Sequence, residues 1–417
     1  MASVTAGFGL TGGTITDTGT IAIDTSVVQT RIEGACPPGT YLRAILGDGS
    51  PNCELHPSAH YRFIDQNPLS TFRGAVAVRA DGRPLIAYSR NGLLLADCAD
   101  PACSAFESRL LSDGSETVGS TVDIVIRDNG RPLVAYQRRV AIGSAQVRLF
   151  DCADSACTSG TSRLADGNGE AGQIISMALR PDGRPVLTYS SNGASNTRRL
   201  DFYDCDNIDC SSGEPLVLIT LFNELDEFPK VAIEVRADGR PLIAFSEHDS
   251  SGLFYLAKLV DCENTACTQR SVRTLDFDFS GVLGTALGFA VRQDGRPLVV
   301  YNHQQANQLR AYDCANDSCS SGTIRVLVGS ISDITDAGLT VRPDGRPGVF
   351  YRTSDAAGGS GLRLFSCANT SCTVGSPRTL DAGGASLSLS VRDDGRALVL
   401  HRNGSLVQLY ICGSECF

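Results

Sequence analysis

A six-residue hairpin motif, Arg79-Ala80-Asp81-Gly82-Arg83-Pro84, stands between two short alternating apolar runs and returns six more times before the C-terminus. The later copies begin at Arg127, Arg180, Arg236, Arg292, Arg342 and Arg392; the second uses Asn129-Gly130 for its turn and the last ends on Ala397. Asp-Gly or Asn-Gly between alternating runs is a strong hairpin signal, because the tight turn needs positive φ. The steps between the turn glycines are 48, 53, 56, 56, 50 and 50 residues. Strand-bearing units of this length predict a propeller-type array rather than several independent domains.

Each repeat parses into four strands. In the first, residues 75–79 form strand a, 85–89 strand b, 93–98 strand c and 106–111 strand d. Between c and d lies a second recurring unit, Asp97-Cys98 followed by Cys103, matched at Cys152 and Cys157, Cys205 and Cys210, Cys262 and Cys267, Cys314 and Cys319, Cys367 and Cys372, and one residue shorter at Cys412 and Cys416. A zinc site needs about four ligands on one point. Pairs on different blades of a ring stand apart, so these are read as disulfides, Cys98–Cys103 through Cys412–Cys416, each worth roughly 2 kcal/mol and pinning an outer edge strand. No metal and no cofactor are expected.

The seventh repeat supplies strands a to c and then the chain stops at Phe417. The missing strand is sought at residues 60–66, where Tyr61-Arg62-Phe63-Ile64-Asp65 matches the d segments Val272-Arg273-Thr274-Leu275-Asp276 and Pro377-Arg378-Thr379-Leu380-Asp381. The expected fold class is all-β: a seven-bladed β-propeller of four-stranded blades over residues 59–417, closed by an N-terminal strand in the last blade, which removes open edges.

Residues 1–58 belong to no blade and are expected to be a small β-rich oligomerisation segment. A Gly/Thr/Ile alternation over residues 4–24 reads as short strands and tight turns, too small for its own core. A hairpin closed by a Cys36–Cys53 disulfide follows. Cysteine pairing on this scale points to an oxidising, extracellular or cell-surface setting. Residues 1–5 show no signal-peptide pattern, an expectation reconciled with export by a mature form or by a route the sequence does not display. A formal charge of -10 argues against nucleic acid or an anionic membrane as partner, and no run of 18 apolar residues predicts a membrane span. With 34 Arg against two Lys, the cations are mostly planar forks suited to carboxylates; genome composition explains the same bias.

Over residues 70–417 the combination D-G-R-P-[LV]-[IV]-x-Y, N-G-x-L and D-C-x4-C resembles bacterial secreted repeat proteins of propeller type, a class that implies a fold and no particular activity. The stretch Gly9-Leu10-Thr11-Gly12-Gly13 resembles the stalks of phage tail-fibre-like proteins, which implies a homotrimer formed through residues 1–58. Sialidases are propellers too, but their Ser-x-Asp-x-Gly-x-x-Trp box is absent from this Trp-free chain.

The Asp-Gly turns and the cysteine turns fall on one face and vary little. The b–c loops and d–a connections make the other face and differ between repeats, which is where binding residues usually sit. The candidate ligand-binding residues there are Arg90, Arg138, Glu247, His248, Asp249, Asn302, His303, Arg352, His401, Arg402, Phe228 and Phe277. Arg79 and its equivalents are read as partners of a turn aspartate, and Tyr88, Tyr136, Tyr189, Phe245, Tyr301 and Tyr351, with His401 in the last repeat, as packing between blades. No catalytic set is recognised, so the chain is expected not to be an enzyme. The function expected is an extracellular binding module, lectin-like or receptor-binding, displayed on a fibre or cell surface with a glycan or receptor as partner. A glycan-active hydrolase or lyase using loop carboxylates such as Glu247 or Glu224, and a structural spacer, are the alternatives.

Overall fold

In a computed structural model of the chain, the described residues are 3–24, 40–45, 50–55, 61–65, 74–112, 116–193, 197–221, 230–248, 255–278, 287–331, 334–353, 361–381, 385–403 and 406–412. They form β-structure without a helix, and no helix among them is long and apolar enough to cross a membrane. The chain makes two compact units, Met1–His60 and Tyr61–Phe417.

In the first unit, β1 (Val4–Thr5) pairs with β3 (Thr14–Ile15), β2 (Leu10–Thr11) with β4 (Ala22–Ile23), and β5 (Thr40–Ile45) with β6 (Pro51–Leu55). Val4, Phe8 and Ile23 are exposed, so the small ladders enclose no core of their own. Cys36 lies outside the described residues, and so does the Cys36–Cys53 pairing.

The second unit begins with β7 (Tyr61–Asp65) and continues as successive antiparallel groups of four. These are β8–β11 (Gly74–Val78, Pro84–Ser89, Leu93–Cys98, Phe106–Leu110), β12–β15 (Thr117–Ile126, Pro132–Ala141, Ser144–Cys152, Gly160–Asp166) and β16–β19 (Glu170–Leu179, Pro185–Asn192, Arg198–Cys205, Gly213–Leu221). Next come β20–β23 (Val231–Val235, Pro241–His248, Tyr255–Cys262, Arg270–Asp278), β24–β27 (Leu287–Val291, Pro297–His303, Gln308–Cys314, Gly322–Val328) and β28–β31 (Ile334–Val341, Pro347–Thr353, Gly361–Cys367, Gly375–Asp381). The last three strands, β32–β34 (Ala385–Val391, Ala397–Asn403, Leu406–Ile411), are joined by β7, which runs antiparallel to β34. A single parallel bridge, Ala145 to Glu170, links the second and third groups.

These are propeller-like repeats. Each first strand neighbours the first strand of the next group, from β8 to β12 and onward to β32, and β32 neighbours β8. The second strands read as continuous apolar runs, Leu85-Ile86-Ala87-Tyr88 for example, because they are covered on both faces. Tyr88, Tyr136, Tyr189, Tyr301 and Tyr351 are fully enclosed between sheets. The innermost strands approach so closely that side chains are excluded at some positions: a Cβ on Gly288 would stand 2.8 Å from the Leu339 nitrogen.

The turns follow the hairpin chemistry. In the first, the Gly82 N–H donates to the Arg79 carbonyl at 2.8 Å and Gly82 holds φ +81°, a conformation that other residues reach only with strain.

Candidate functional site

The repeated face is an internal clamp. Arg79 does not pair with its turn aspartate, as the sequence suggested; Arg83 does, at 2.7 Å. Arg79 instead reaches the aspartate before the first cysteine, Asp97, at 2.6 Å, and then donates to the Ser155 carbonyl in the cysteine loop of the next sheet at 2.9 Å. The cause is the hairpin register: strand c lies beside strand b, so its aspartate faces the arginine across the sheet end. The pattern recurs with Arg127 on Asp151 at 2.6 Å and on the Ile208 carbonyl at 3.2 Å, and with Arg180 on Asp204 and on the Thr265 carbonyl. Arg236 holds Asp261, and Arg292 holds Asp313 at 2.6 Å and the Thr370 carbonyl at 3.2 Å. Outer-strand arginines reinforce it: Arg109 donates to the Ala156 carbonyl at 2.7 Å and Arg163 to that of Asp209 at 2.8 Å.

Six disulfides shape the loops that accept these arginines: Cys98–Cys103, Cys152–Cys157, Cys205–Cys210, Cys262–Cys267, Cys314–Cys319 and Cys367–Cys372. The second cysteine of each takes a left-handed backbone, φ +47° to +54°, and its N–H closes a tight turn, as from Cys103 to the Asp100 carbonyl at 2.9 Å. Cys412 is disulfide-bonded as well; Cys416 lies outside the described residues. The most regular residues are therefore consumed inside the fold.

At the other end of the strands, hydroxyls cross between sheets. Tyr189 donates to Asp166 at 2.8 Å and Tyr301 to Asp276 at 2.9 Å, each carboxylate coming from the outer strand of the preceding sheet. The innermost strands enclose a channel of about 590 Å³ that narrows into a recess of about 160 Å³ at this end. Lys230, Asp123, Asp336 and Ser388 line the recess. Asp123 accepts the backbone N–H of Met177 at 2.7 Å, and Asp336 that of Leu387 at 3.0 Å, so each serves the neighbouring strand. Glu234 lines the channel and has no hydrogen-bond partner among the described residues. Enclosure by the surrounding strands raises both Asp123 and Glu234 to about 7.

The sequence missed these channel groups, although a signal existed. Counting back four and two residues from each repeated arginine, most repeats carry small or aliphatic residues, such as Ala75 and Ala77; Asp123 and Glu234 break that rule.

The predicted site residues are scattered around the same end. Arg90 spans to Asp65 of β7 at 2.9 Å, and Arg138 meets Glu116 at 3.2 Å. Glu247 is held by Lys258 across its hairpin. Asn302 and His303 are buried, and His303 Nδ1 accepts the Ala306 N–H at 3.3 Å, which caps the turn after β25. Phe277 is half exposed on β23. Asp249 and Phe228 lie outside the described residues, as does the His248 side chain. Arg352 donates to Thr335 Oγ1 at 2.8 Å. His401 is fully enclosed; burial first and then the nearby Arg352 charge lower its pKa to about 4, so it is neutral at physiological pH. Arg352 is in turn lowered by burial, opposed by Asp336 and assisted by Arg402. The structure thus brings Arg352, His401 and Arg402 together and keeps the Glu247 and His303 groups engaged locally. Among the described residues no three His, Cys, Asp or Glu side chains form a metal-type group.

No family model and no curated protein matches the chain. Among solved structures, an ulvan lyase of a new polysaccharide lyase family, PL25, is similar at 9% identity and a TM-score of 0.59, over 84% of this chain and 95% of that one. A protein of unknown function from Dyadobacter fermentans has 10% identity and a TM-score of 0.51 over 84% of this chain and 98% of its own. A Hadza microbial sialidase has 10% identity and a TM-score of 0.50 over 81% and 75%. At such identities the likeness is one of fold: propeller-type sheets, here carrying a disulfide in one loop after another.

Proposed function

We propose that residues 61–417 are a seven-bladed propeller closed by β7 and that it is an extracellular glycan-binding module, whose ligand sits at the recessed end of the channel. One observation carries the reading: the two ends of the strands are used differently. At one end the arginines, aspartates and cysteines are tied to each other, whereas the other opens into a recess lined by the polar groups Lys230, Asp123, Asp336 and Ser388. The disulfides suit an oxidising exterior. Residues 1–58 would carry the module as a trimeric stalk, supported by the exposed apolar side chains of the short N-terminal ladders. A glycan array probed with the full chain tests the binding; silence on the array and on cell surfaces rejects it. Sedimentation equilibrium tests the stalk, and a single-chain mass rejects the trimer.

A glycan-active enzyme is the second reading. It is favoured by Glu234 and Asp123, two channel carboxylates raised to about 7, where a carboxyl can serve as acid or base. Turnover of a polysaccharide that Glu234→Gln or Asp123→Asn abolishes would establish it; turnover that survives both variants, or none at all, removes it.

A further inference from the structure

The channel holds negative charge without an answering cation in its wall. Asp123 lines both the channel and the recess, Glu234 lines the channel, and Asp336 and Lys230 line the recess. With these four titratable lining residues ionised, three carboxylates stand against one ammonium. Hydrogen bonds set Asp123 and Glu234 on one stretch of the wall. Asp123 accepts the Met177 N–H at 2.7 Å, the adjacent Ser176 hydroxyl accepts the Ile233 N–H at 3.2 Å, and Glu234 follows Ile233. Small side chains, Ala77, Ala178 and Ala232, line the same channel. Glu234 is enclosed by the strands, yet its carboxyl meets neither a hydrogen-bond donor nor a cation among the described residues. An ionised carboxylate so placed is costly until a charged donor reaches it, and this enclosure raises it to about 7. A divalent metal takes several ligands, and no three His, Cys, Asp or Glu among the described residues form such a group. An ammonium group brings three donors and needs only acceptors. Glu234, Asp123 and Ser390 supply oxygens in this lining.

We propose that Glu234 and Asp123 form a subsite for an ammonium group, and that the polysaccharide taken into the recess carries free amines, as a de-N-acetylated hexosamine polymer does. This rests on the glycan-binding reading and adds the substrate class to it. The charge of -10 on the whole chain draws a polycation toward it, an attraction that salt weakens. Because the carboxyls must ionise to hold the amine, affinity falls as pH drops from 7 to 5, although the amine itself gains charge over that range.

The test is calorimetry of the full chain with a chitosan hexamer, the fully N-acetylated chitin hexamer, spermidine and calcium chloride, at pH 7 and pH 5. The chitosan hexamer is expected to bind at pH 7, about tenfold or more weakly in Glu234→Gln and equally in Arg83→Gln on the opposite face. Glu234→Ala, which inserts the residue found at this position as Ala77 and Ala178, stands in if circular dichroism shows Glu234→Gln unfolded. Equal affinity of wild type and the Glu234 variants overturns the subsite, and so does affinity that rises at pH 5. Heat from spermidine or calcium with none from the chitosan hexamer overturns it as well. Binding of the chitin hexamer alone overturns it and leaves the glycan reading in place, whereas a silent glycan array removes both.

Discussion

The Arg392 guanidinium donates to the carbonyl of Pro101 at 2.9 Å, across 291 residues of sequence. Arg392 opens the last hairpin turn and Pro101 sits in the first cysteine loop, so the same handover that joins consecutive sheets joins the last to the first. This arginine lacks the strand-c aspartate, since Ile411 stands where Asp97 stands in the first repeat, and its carboxylate partner is the turn residue Asp394 at 3.8 Å. Burial lowers its pKa.

The clamp makes a sharp distinction among aspartates. Asp151 is buried between Arg127, Arg131 and Arg163. Asp151→Asn leaves the buried Arg127 with the more exposed Asp209 as its remaining carboxylate and is expected to cost about 3 kcal/mol. The exposed turn residue in Asp81→Asn keeps its acceptor oxygen and is expected to cost about 0–1 kcal/mol. Urea denaturation of the two variants measures the difference; similar losses would contradict it.

Ser366 occupies the aspartate position in the sixth repeat, where Arg342 donates to the Cys367 carbonyl at 2.9 Å and the Arg346 carbonyl at 3.1 Å and stands 3.9 Å from Asp344. Ser366→Asp restores the partner that five other repeats have. A gain on the order of 1 kcal/mol is expected, read as a higher denaturation midpoint at unchanged slope.

Glu234 rises from 4.5 to about 7 on folding. A carboxyl raised in the folded state favours folding below its unfolded pKa, and that contribution is lost as pH climbs through the folded value. Glu234→Gln, which never ionises, is therefore expected to gain on wild type between pH 4.5 and 8. Stability measured at pH 4, 6 and 8 checks the sign; a gap that shrinks with rising pH refutes it.

His401 behaves in the opposite sense. Its pKa falls from 6.5 to about 4 on folding, so its contribution is present above 6.5 and drains away as pH drops toward 4. His401→Tyr inserts the residue found at this position in Tyr88, Tyr136, Tyr189, Tyr301 and Tyr351. The variant is expected to fold and to lose less stability than wild type between pH 7 and 5, by thermal melting at both pH values.

Much of the architecture was legible because it rests on local chemistry repeated many times. Asp-Gly turns, alternating runs and the spacing of paired cysteines each specify a hairpin within a few residues, and the match of Tyr61–Asp65 to the d strands located a partner for β34. The pairing of Arg79 was misjudged because two arginines flank one turn. Only the placement of a third strand shows that Arg83 takes Asp81 while Arg79 takes Asp97. The recess was not legible for a related reason. Asp123, Lys230 and Asp336 come from three different sheets, and nothing in the spacing of one repeat says which residues of another it will face. Glu247 illustrates the converse: its carboxylate pairs with Lys258 eleven residues on, across one hairpin, so a group that looked reactive in isolation is occupied.

The direction of the arginine handover has a further consequence. Arg79, Arg127, Arg180, Arg292 and Arg392 each donate to a carbonyl in the cysteine loop of the sheet that follows, so this row of contacts runs in one direction, like the links of a zip. Excising a repeat would join an arginine to a cysteine loop it did not evolve beside, and duplicating one would have to preserve the same hand at both new seams. Units that look interchangeable on paper are thereby bound to their neighbours, and change in number of repeats is harder for this chain than change in the loops around the recess.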